Sequence, residues 1–213
     1  MRNRYPIIVL VIAFVASVAG YLQMPERVPI HWDMQGQVDG WGHPFVAVGI
    51  MPLIMVALWQ LLRFMPKLDP KRPNIEKFRD SYDVTVNATL TLMLVVHFMI
   101  IGGALGLPIL SGVRLINVAI GVFFIVIGNV LPRTRRNWLF GIRTWWTMSD
   151  DRVWAESNRV GGYLMAGAGV LIALTAMLEP PIGVIAMAVV VMVSVVASVA
   201  YSYAVWKRVQ ARP

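Results

Sequence analysis

Cysteine is absent from the 213 residues. This excludes a disulfide framework, a cysteine-ligated zinc or iron–sulfur site, and thiol catalysis. Acidic residues are scarce, 11 Asp and Glu against 19 Lys and Arg, which leaves a net charge of +8. Charged residues of both signs make up only 14% of the chain, while 58% is apolar. Soluble domains sit near ~25% charged and ~45–50% apolar, so this balance argues against a water-soluble globule. It also excludes a disordered chain, which needs high charge and few apolar residues. The sequence holds no P-loop, zincin motif, nucleophile elbow or carboxylate pair within an apolar stretch. We therefore expect no catalysis, no cofactor and no metal.

Long apolar runs are plentiful. A bilayer core of ~30 Å takes about 20 helical residues, and six stretches fit: Pro6–Leu22, Phe45–Phe64, Val84–Leu107, Val113–Leu131, Gly161–Leu178 and Ile182–Trp206. None contains Asp, Glu or Lys. With six spans, seventeen of the nineteen bases fall on one side, and only Arg27 and Arg114 on the other. The bias predicts that both termini lie in the cytoplasm. The fold expected is an all-α integral membrane protein, a six-transmembrane-helix bundle with a small extracytoplasmic cap loop. The bases read as topology determinants facing membrane lipids, and direct nucleic-acid binding is not expected. Three regions follow: an amino-terminal two-span unit over 1–64 with an outer loop over 24–44, a basic cytoplasmic loop over 65–83, and a four-span core over 84–213 with a long loop over 132–160. Arg2, Arg4 and the small residues Ser17-Val18-Ala19 also fit a signal peptide cleaved after Ala19.

Gly162, Ala166, Gly169 and Ala173 recur at helical spacing and predict one close-packing face on the fifth span. Ser194 and Ser198 do the same on the sixth, where Tyr201, Tyr203 and Trp206 suit a membrane interface. Asn87, His97 and Asn117 are polar positions within spans. Interhelical hydrogen bonding is their default use, and a solute path along His97 and Asn129 is the alternative.

Two loops are too rich in specific residues to be mere connections. In the outer loop, Val28-Pro29-Ile30-His31-Trp32 predicts a short strand, and Gly36 and Asp39-Gly40 are turn signals. His31, Asp33, Asp39 and His43 are ligand types for zinc, but their spacing matches no strong pattern. We expect an ordered cap fixed by Pro29, Trp32, Gly36 and Asp39. In the long loop, Thr147 and Asp150 predict a capping box opening a helix near Ser149, on which Trp154 and Asn158 share a face. Arg143 lies among aromatics, where a desolvated guanidinium needs a partner. Asn129, carbonyls near the end of the fourth helix, or Asn158 are the expected ones. Arg133, Arg135 and Arg136 are expected to act by charge alone.

Gly141-Ile142-Arg143-Thr144-Trp145-Trp146-Thr147, followed by Val153-Trp154 and Asn158-Arg159-Val160-Gly161-Gly162, resembles the signature of the SdpI family of bacterial six-span membrane proteins. Asn129 and Asn137 also fit, and Pro25, Pro29, His31-Trp32, Gly36 and Asp39 resemble the family's amino-terminal element. One position departs: Trp145 stands where the family usually has proline. The resemblance implies a retained first span, residence in a bacterial cytoplasmic membrane, and immunity against a secreted toxic peptide. It also implies signal transduction through a cytoplasmic transcriptional repressor. Asn129, Asn137, Gly141, Arg143, Thr144, Thr147, Trp154, Asn158 and Arg159 would then form the inner partner surface, and Pro29, His31, Trp32, Asp33, Gly36 and Asp39 the outer one. The alternative reading is a small-solute transporter or lipid-handling membrane protein.

Overall fold

A computed structural model describes residues 3–107 and 112–211. Arg2 and Arg212, counted among the bases, lie outside the described residues. The chain runs α1 (Tyr5–Tyr21), β1 (Val28–Trp32), β2 (Val38–Gly42), α2 (Pro44–Leu68), α3 (Arg72–Glu76), α4 (Arg79–Ala104), α5 (Val113–Val130), α6 (Trp145–Ser149), α7 (Asp151–Leu174) and α8 (Pro180–Gln210). Helices α2, α4, α5, α7 and α8 are long and apolar enough to cross a membrane. The sixth, α1, is apolar but has 17 residues, about 25 Å of helix. The protein is an all-α, multi-pass membrane bundle with one small hairpin.

Prolines mark the helix starts at Pro6, Pro44 and Pro180, where the missing N–H lies among groups that have no intrahelical partner anyway. Pro52 and Pro66 sit inside α2. Neighbouring helices make such interruptions tolerable in a membrane. The outward faces remain apolar: Phe14, Leu53, Val193 and Val196 are among many large exposed side chains.

Two groups of three helices make up the bundle. In the first, Val9 and Ala13 of α1, Met55 of α2, and Tyr82, Val86 and Leu90 of α4 share a core. In the second, α7 packs along both α5 and α8. Helix α4 also contacts α5 and so links the groups. The first contact between α5 and α7 is nearly backbone on backbone. A Cβ at Gly121 would stand 2.6 Å from the Gly169 carbonyl oxygen, and one at Gly128 2.6 Å from that of Gly162. Small residues permit this approach where lipid offers no hydrophobic drive. The stripe Gly162, Ala166, Gly169 and Ala173 is thus one half of a contact whose other half is Gly121 and Gly128.

The alternating helices gather the connections at two ends. One end holds the hairpin, seated by Val28 against Ala47 of α2 and Ala104 of α4. The other holds α3, the 131–150 segment and most of the bases; it is called the basic end below.

Candidate functional site

At the basic end α5 passes into a 3-10 turn over Leu131–Arg133, and the chain then folds back as a compact loop. Asn137 is its centre and is fully buried. Its amide donates to the carbonyls of Arg135 (2.7 Å) and Phe140 (2.9 Å), and its Oδ1 accepts from the N–H groups of Leu139 and Phe140, both at 2.8 Å. Four local bonds from one side chain replace the ladder that an irregular segment lacks.

Asn158 of α7 does the same from below. Its Oδ1 accepts from the Ile142 N–H at 2.8 Å, and its amide donates to the Trp154 carbonyl at 3.0 Å. Gly141, at φ +124°, passes directly over this pair; a Cβ there would stand 2.7 Å from Asn158 Oδ1. Only glycine meets both demands. Buried Trp154 donates its indole N–H to the Thr134 carbonyl at 3.3 Å. Thr147 Oγ1 donates to the Ile142 carbonyl at 2.7 Å.

The capping differs from the sequence expectation. Thr144, not Thr147, opens a box: the Thr144 N–H donates to Thr147 Oγ1 at 2.9 Å while the Thr147 N–H donates to Thr144 Oγ1 at 3.3 Å. This box caps the short α6. Asp150 caps α7 separately, accepting from the Arg152 N–H at 2.6 Å. The side-chain hydrogen bond from Arg152 holds the Asp150 carboxyl below the ordinary carboxylate range. Trp145 occupies the first position of α6, where proline is also welcome, so the departure from the family pattern leaves this backbone path intact. Its ring packs edge-on against Trp146 and Trp206.

Arg143 is a correction. It is exposed, and its guanidinium donates to the Trp138 carbonyl across the loop. Neither expected asparagine holds it: Asn158 is engaged by Ile142, and Asn129 is exposed, with its amide turned back to the Ile125 carbonyl at 3.3 Å. Trp154 lies beneath the loop and Trp145 turns toward α8, so no aromatic wall desolvates the guanidinium. Arg159 is likewise exposed. Arg136, expected to act by charge alone, donates to the Met148 carbonyl at 2.8 Å and pairs with Asp151 at 2.9 Å.

A residue the sequence reading passed over ties this loop to the preceding one. Asp69 is 6% exposed. Its Oδ2 accepts from the Trp138 N–H at 2.8 Å and its Oδ1 from the Lys71 N–H at 2.6 Å. Asn74 adds a bond to the Arg136 carbonyl at 2.8 Å. Asp69-Pro70 reads in sequence as an ordinary helix stop. The signal available was that Asp69 is the first acidic residue after a long span that holds none.

At the hairpin end β1 pairs antiparallel with β2, with an irregular register around His31. Pro29 is buried, Trp32 and Asp33 are half-buried, and His31, Gly36 and Asp39 are exposed. His31 Nδ1 meets Asp39 Oδ1 across the strands at 2.5 Å. Asp33 Oδ1 accepts from the N–H groups of Gln35 and Gln37, forming the turn in which Gly36 takes φ +80°. His43 is drawn off to cap α2 through the Phe45 N–H. The four candidate metal ligands are therefore engaged in three separate tasks.

Within the spans, His97 is fully buried, with Nε2 2.9 Å from Ser17 Oγ and 3.2 Å from the Ala13 carbonyl oxygen. Ser17 Oγ also lies 2.8 Å from the Val48 carbonyl oxygen, so one knot joins α1, α2 and α4. Asn117 donates to Thr175 Oγ1 at 2.9 Å, and Asn87 accepts from the Asn3 amide at 2.9 Å. Each is an interhelical or end-to-end bond.

This construction agrees with the comparisons. Residues 133–202 match the profile of the SdpI/YfhL protein family, which covers the loop from Arg133 through α6, α7 and most of α8. Residues 8–56 match a domain of unknown function, DUF1648, which covers most of α1, the hairpin and the first half of α2. A curated relative, Immunity protein SdpI of Bacillus subtilis (strain 168), is 25% identical over 207 residues, which is 97% of this chain and 97% of its own length. No solved structure matches. The signature loop and the near full-length likeness agree in making this chain similar to the SdpI/YfhL protein family.

Proposed function

We infer that this chain is an immunity-type membrane protein, one that protects the cell carrying it against a secreted toxic peptide. The observation that carries the reading is the end-to-end likeness to Immunity protein SdpI, which includes both the hairpin region and the 137–158 loop. In this reading the two ends have different tasks. The hairpin end faces outward and meets the toxic peptide, the exposed Trp41 and Met34 offering apolar contact beside the paired His31 and Asp39. The basic end faces the cytoplasm; the excess of bases the sequence assigns to that side supports this through the positive-inside rule. There Arg143, Thr144 and Arg159, raised on the rigid base of Asn137, Thr147, Trp154 and Asn158, form the surface for a soluble partner such as a transcriptional repressor.

The test is survival. A sensitive strain expressing this chain is challenged with a secreted toxic peptide of the kind met by immunity proteins of this type, with the empty strain as control. Protection supports the reading, and equal killing of the two strains overturns it. Orientation is checked independently, because the chain has no cysteine of its own. A cysteine placed at Gln37 should react with an impermeant maleimide in intact cells, and one at Thr134 should not.

A further inference from the structure

At the basic end, a cavity of about 590 Å3 opens between the start of α1, the last turns of α2 and the first two turns of α4. Its volume falls within the ~300–1,000 Å3 usual for a bound small molecule. Its walls are of two kinds. Ile7, Leu62 and Val86 are apolar, whereas Arg63, Arg79, Asp80 and Asp83 are charged. The frame is stiff, because buried Tyr82 bonds the Leu62 carbonyl at 2.6 Å and fixes α4 to α2.

The four charges are not equivalent. Arg79 Nε meets Asp83 Oδ1 at 3.1 Å, one turn along the same helix, and this pair neutralises itself. Arg63 lies over the Trp59 ring, 5.8 Å from its centre, and makes no ion pair among the described residues. Asp80 also makes none among the described residues. The pocket thus offers one uncompensated guanidinium and one uncompensated carboxylate, with an apolar floor leading toward the bilayer.

We propose that this cavity binds a phosphoethanolamine-type zwitterion, carried by a membrane lipid. The phosphodiester takes the Arg63 guanidinium, with the terminal nitrogens of Arg79 beside it. A planar guanidinium suits phosphate oxygens through paired N–H donors. The primary ammonium takes Asp80. Charge complementarity selects this head group. An anionic head such as phosphatidylglycerol satisfies Arg63 but brings no positive charge to Asp80 and Asp83. A choline head carries its charge but has no N–H to donate to a carboxylate. The apolar walls and the position at the end of three membrane helices favour a lipid over a soluble zwitterion, since the acyl chains continue along the outward faces of α1 and α2.

The test is native mass spectrometry of the purified full chain in detergent, with phosphatidylethanolamine, phosphatidylcholine and phosphatidylglycerol of identical acyl chains added at equal mole fraction. Retained phosphatidylethanolamine should exceed each of the others by about tenfold, the lower bound for one hydrogen bond to a charged group. R63A should lower retention of all three lipids. D80N should remove the preference for ethanolamine over choline and weaken that over glycerol, because the carboxylate that takes the ammonium is gone. R27A, at the opposite end, should change neither. Thermal unfolding of the variants in detergent should match the parent, because both groups are exposed and neither is ion-paired within the described protein. Equal retention of ethanolamine and glycerol head groups overturns the proposal, as does an unchanged preference in D80N. Glycerophosphoethanolamine added at the lipid's concentration separates the sources. Failure to displace the lipid supports the lipid-borne zwitterion, and full displacement overturns it in favour of a soluble one.

Discussion

Helices α5 and α7 meet where side chains are missing, whereas α1, α2 and α4 meet around a side chain, His97. At the first contact the carbonyls of Gly121, Gly128, Gly162 and Gly169 stand where the partner helix would place a Cβ, at 2.5–2.6 Å. At the second, Ser17 and His97 reach across to the backbone of Ala13 and Val48. Lipid tails are as apolar as leucine, so neither contact gains from a hydrophobic drive. One is fixed by shape and tolerates no addition. The other is fixed by hydrogen bonds and tolerates deletion at moderate cost. The shape-fixed contact lies directly under the motif loop, since Pro132 at the end of α5 packs on Gly162. The loop therefore rests on the less forgiving half of the bundle.

The largest effect should come from adding volume to the glycine contact. A Cβ at Gly162 meets the Gly128 carbonyl oxygen at 2.6 Å and Pro132 Cδ at 2.7 Å, and the first of these is backbone that cannot swing aside. Gly162→Leu should destabilise by ~3 kcal/mol or more, the upper range for overpacking. Gly167, with nothing near its Cβ position, is the matched control, and Gly167→Leu should leave folding unchanged. Unfolding in mixed micelles, followed by circular dichroism, reads both. If the two variants unfold alike, backbone contact between α5 and α7 is not what holds this half.

Next in size is the loop itself. Asn137→Leu keeps the volume near that of asparagine but strands the N–H groups of Leu139 and Phe140 and two carbonyls. An orphan costs ~1–3 kcal/mol where water cannot reach it; Arg135 is exposed and Leu139 and Phe140 are half-buried, so water offsets part of the four losses and ~2–4 kcal/mol in all, confined to the loop, is expected. Hydrogen exchange should show fast amides over 134–148, while those of α7 beyond Gly162 keep their protection. Uniform loosening of the whole bundle would mean that the loop is not a separate unit.

Particular residues show what was legible before the structure. Apolar length set the helices, and the small-residue stripe on α7 was visible at helical spacing. Its partner stripe on α5 was not, because Gly121 and Gly128 are seven residues apart among bulky neighbours and suggest no continuous face. Strand β1 was readable from its β-branched and aromatic run, but β2 was not. It contains Asp39-Gly40, which reads as a turn signal. Yet Gly40 lies within the strand, where a Cβ would stand 2.8 Å from His31 Cβ. The Thr144–Thr147 box was misplaced by three residues because threonine at the third helical position can return the bond that glutamate usually makes. Asp69 was missed because its partner, the Trp138 N–H, lies 69 residues on, and nothing local announces a bond of that range.

On the hydrogen-bonded side the cost should be smaller. His97→Ala removes the interhelical contacts of Nε2 with Ser17 Oγ and the Ala13 carbonyl and leaves the Ser17 hydroxyl its carbonyl partners at Ala13 and Val48. Measured side-chain bonds between membrane helices run ~0.6–2 kcal/mol, and the variant should fall there. Ser17→Ala leaves His97 with the Ala13 carbonyl alone and should cost a similar amount. The double variant should cost less than the two singles added, because they share a bond. Full additivity in a denaturation cycle would show that His97 and Ser17 do not act as one knot.

The smallest effect on stability should come from Arg143, and it bears most directly on function. The side chain is exposed and, among the described residues, its one hydrogen bond is to the Trp138 carbonyl, which water can satisfy if the arginine leaves. Arg143→Lys should therefore shift unfolding by less than ~0.5 kcal/mol, as surface substitutions generally do. Lysine keeps the charge but loses the planar, multi-donor fork. If the exposed guanidinium is offered to a protein partner, survival under toxic peptide, or induction of a reporter that depends on that partner, should fall although the variant protein is inserted and as stable as its parent. Arg133→Lys, also exposed at the basic end, should leave both readouts unchanged, because attraction to headgroups needs only charge. Loss of function in both variants would point to bulk electrostatics. Wild-type behaviour of Arg143→Lys would show that the guanidinium fork is not read by a partner, and the partner surface would then have to be sought on Thr144 and Arg159.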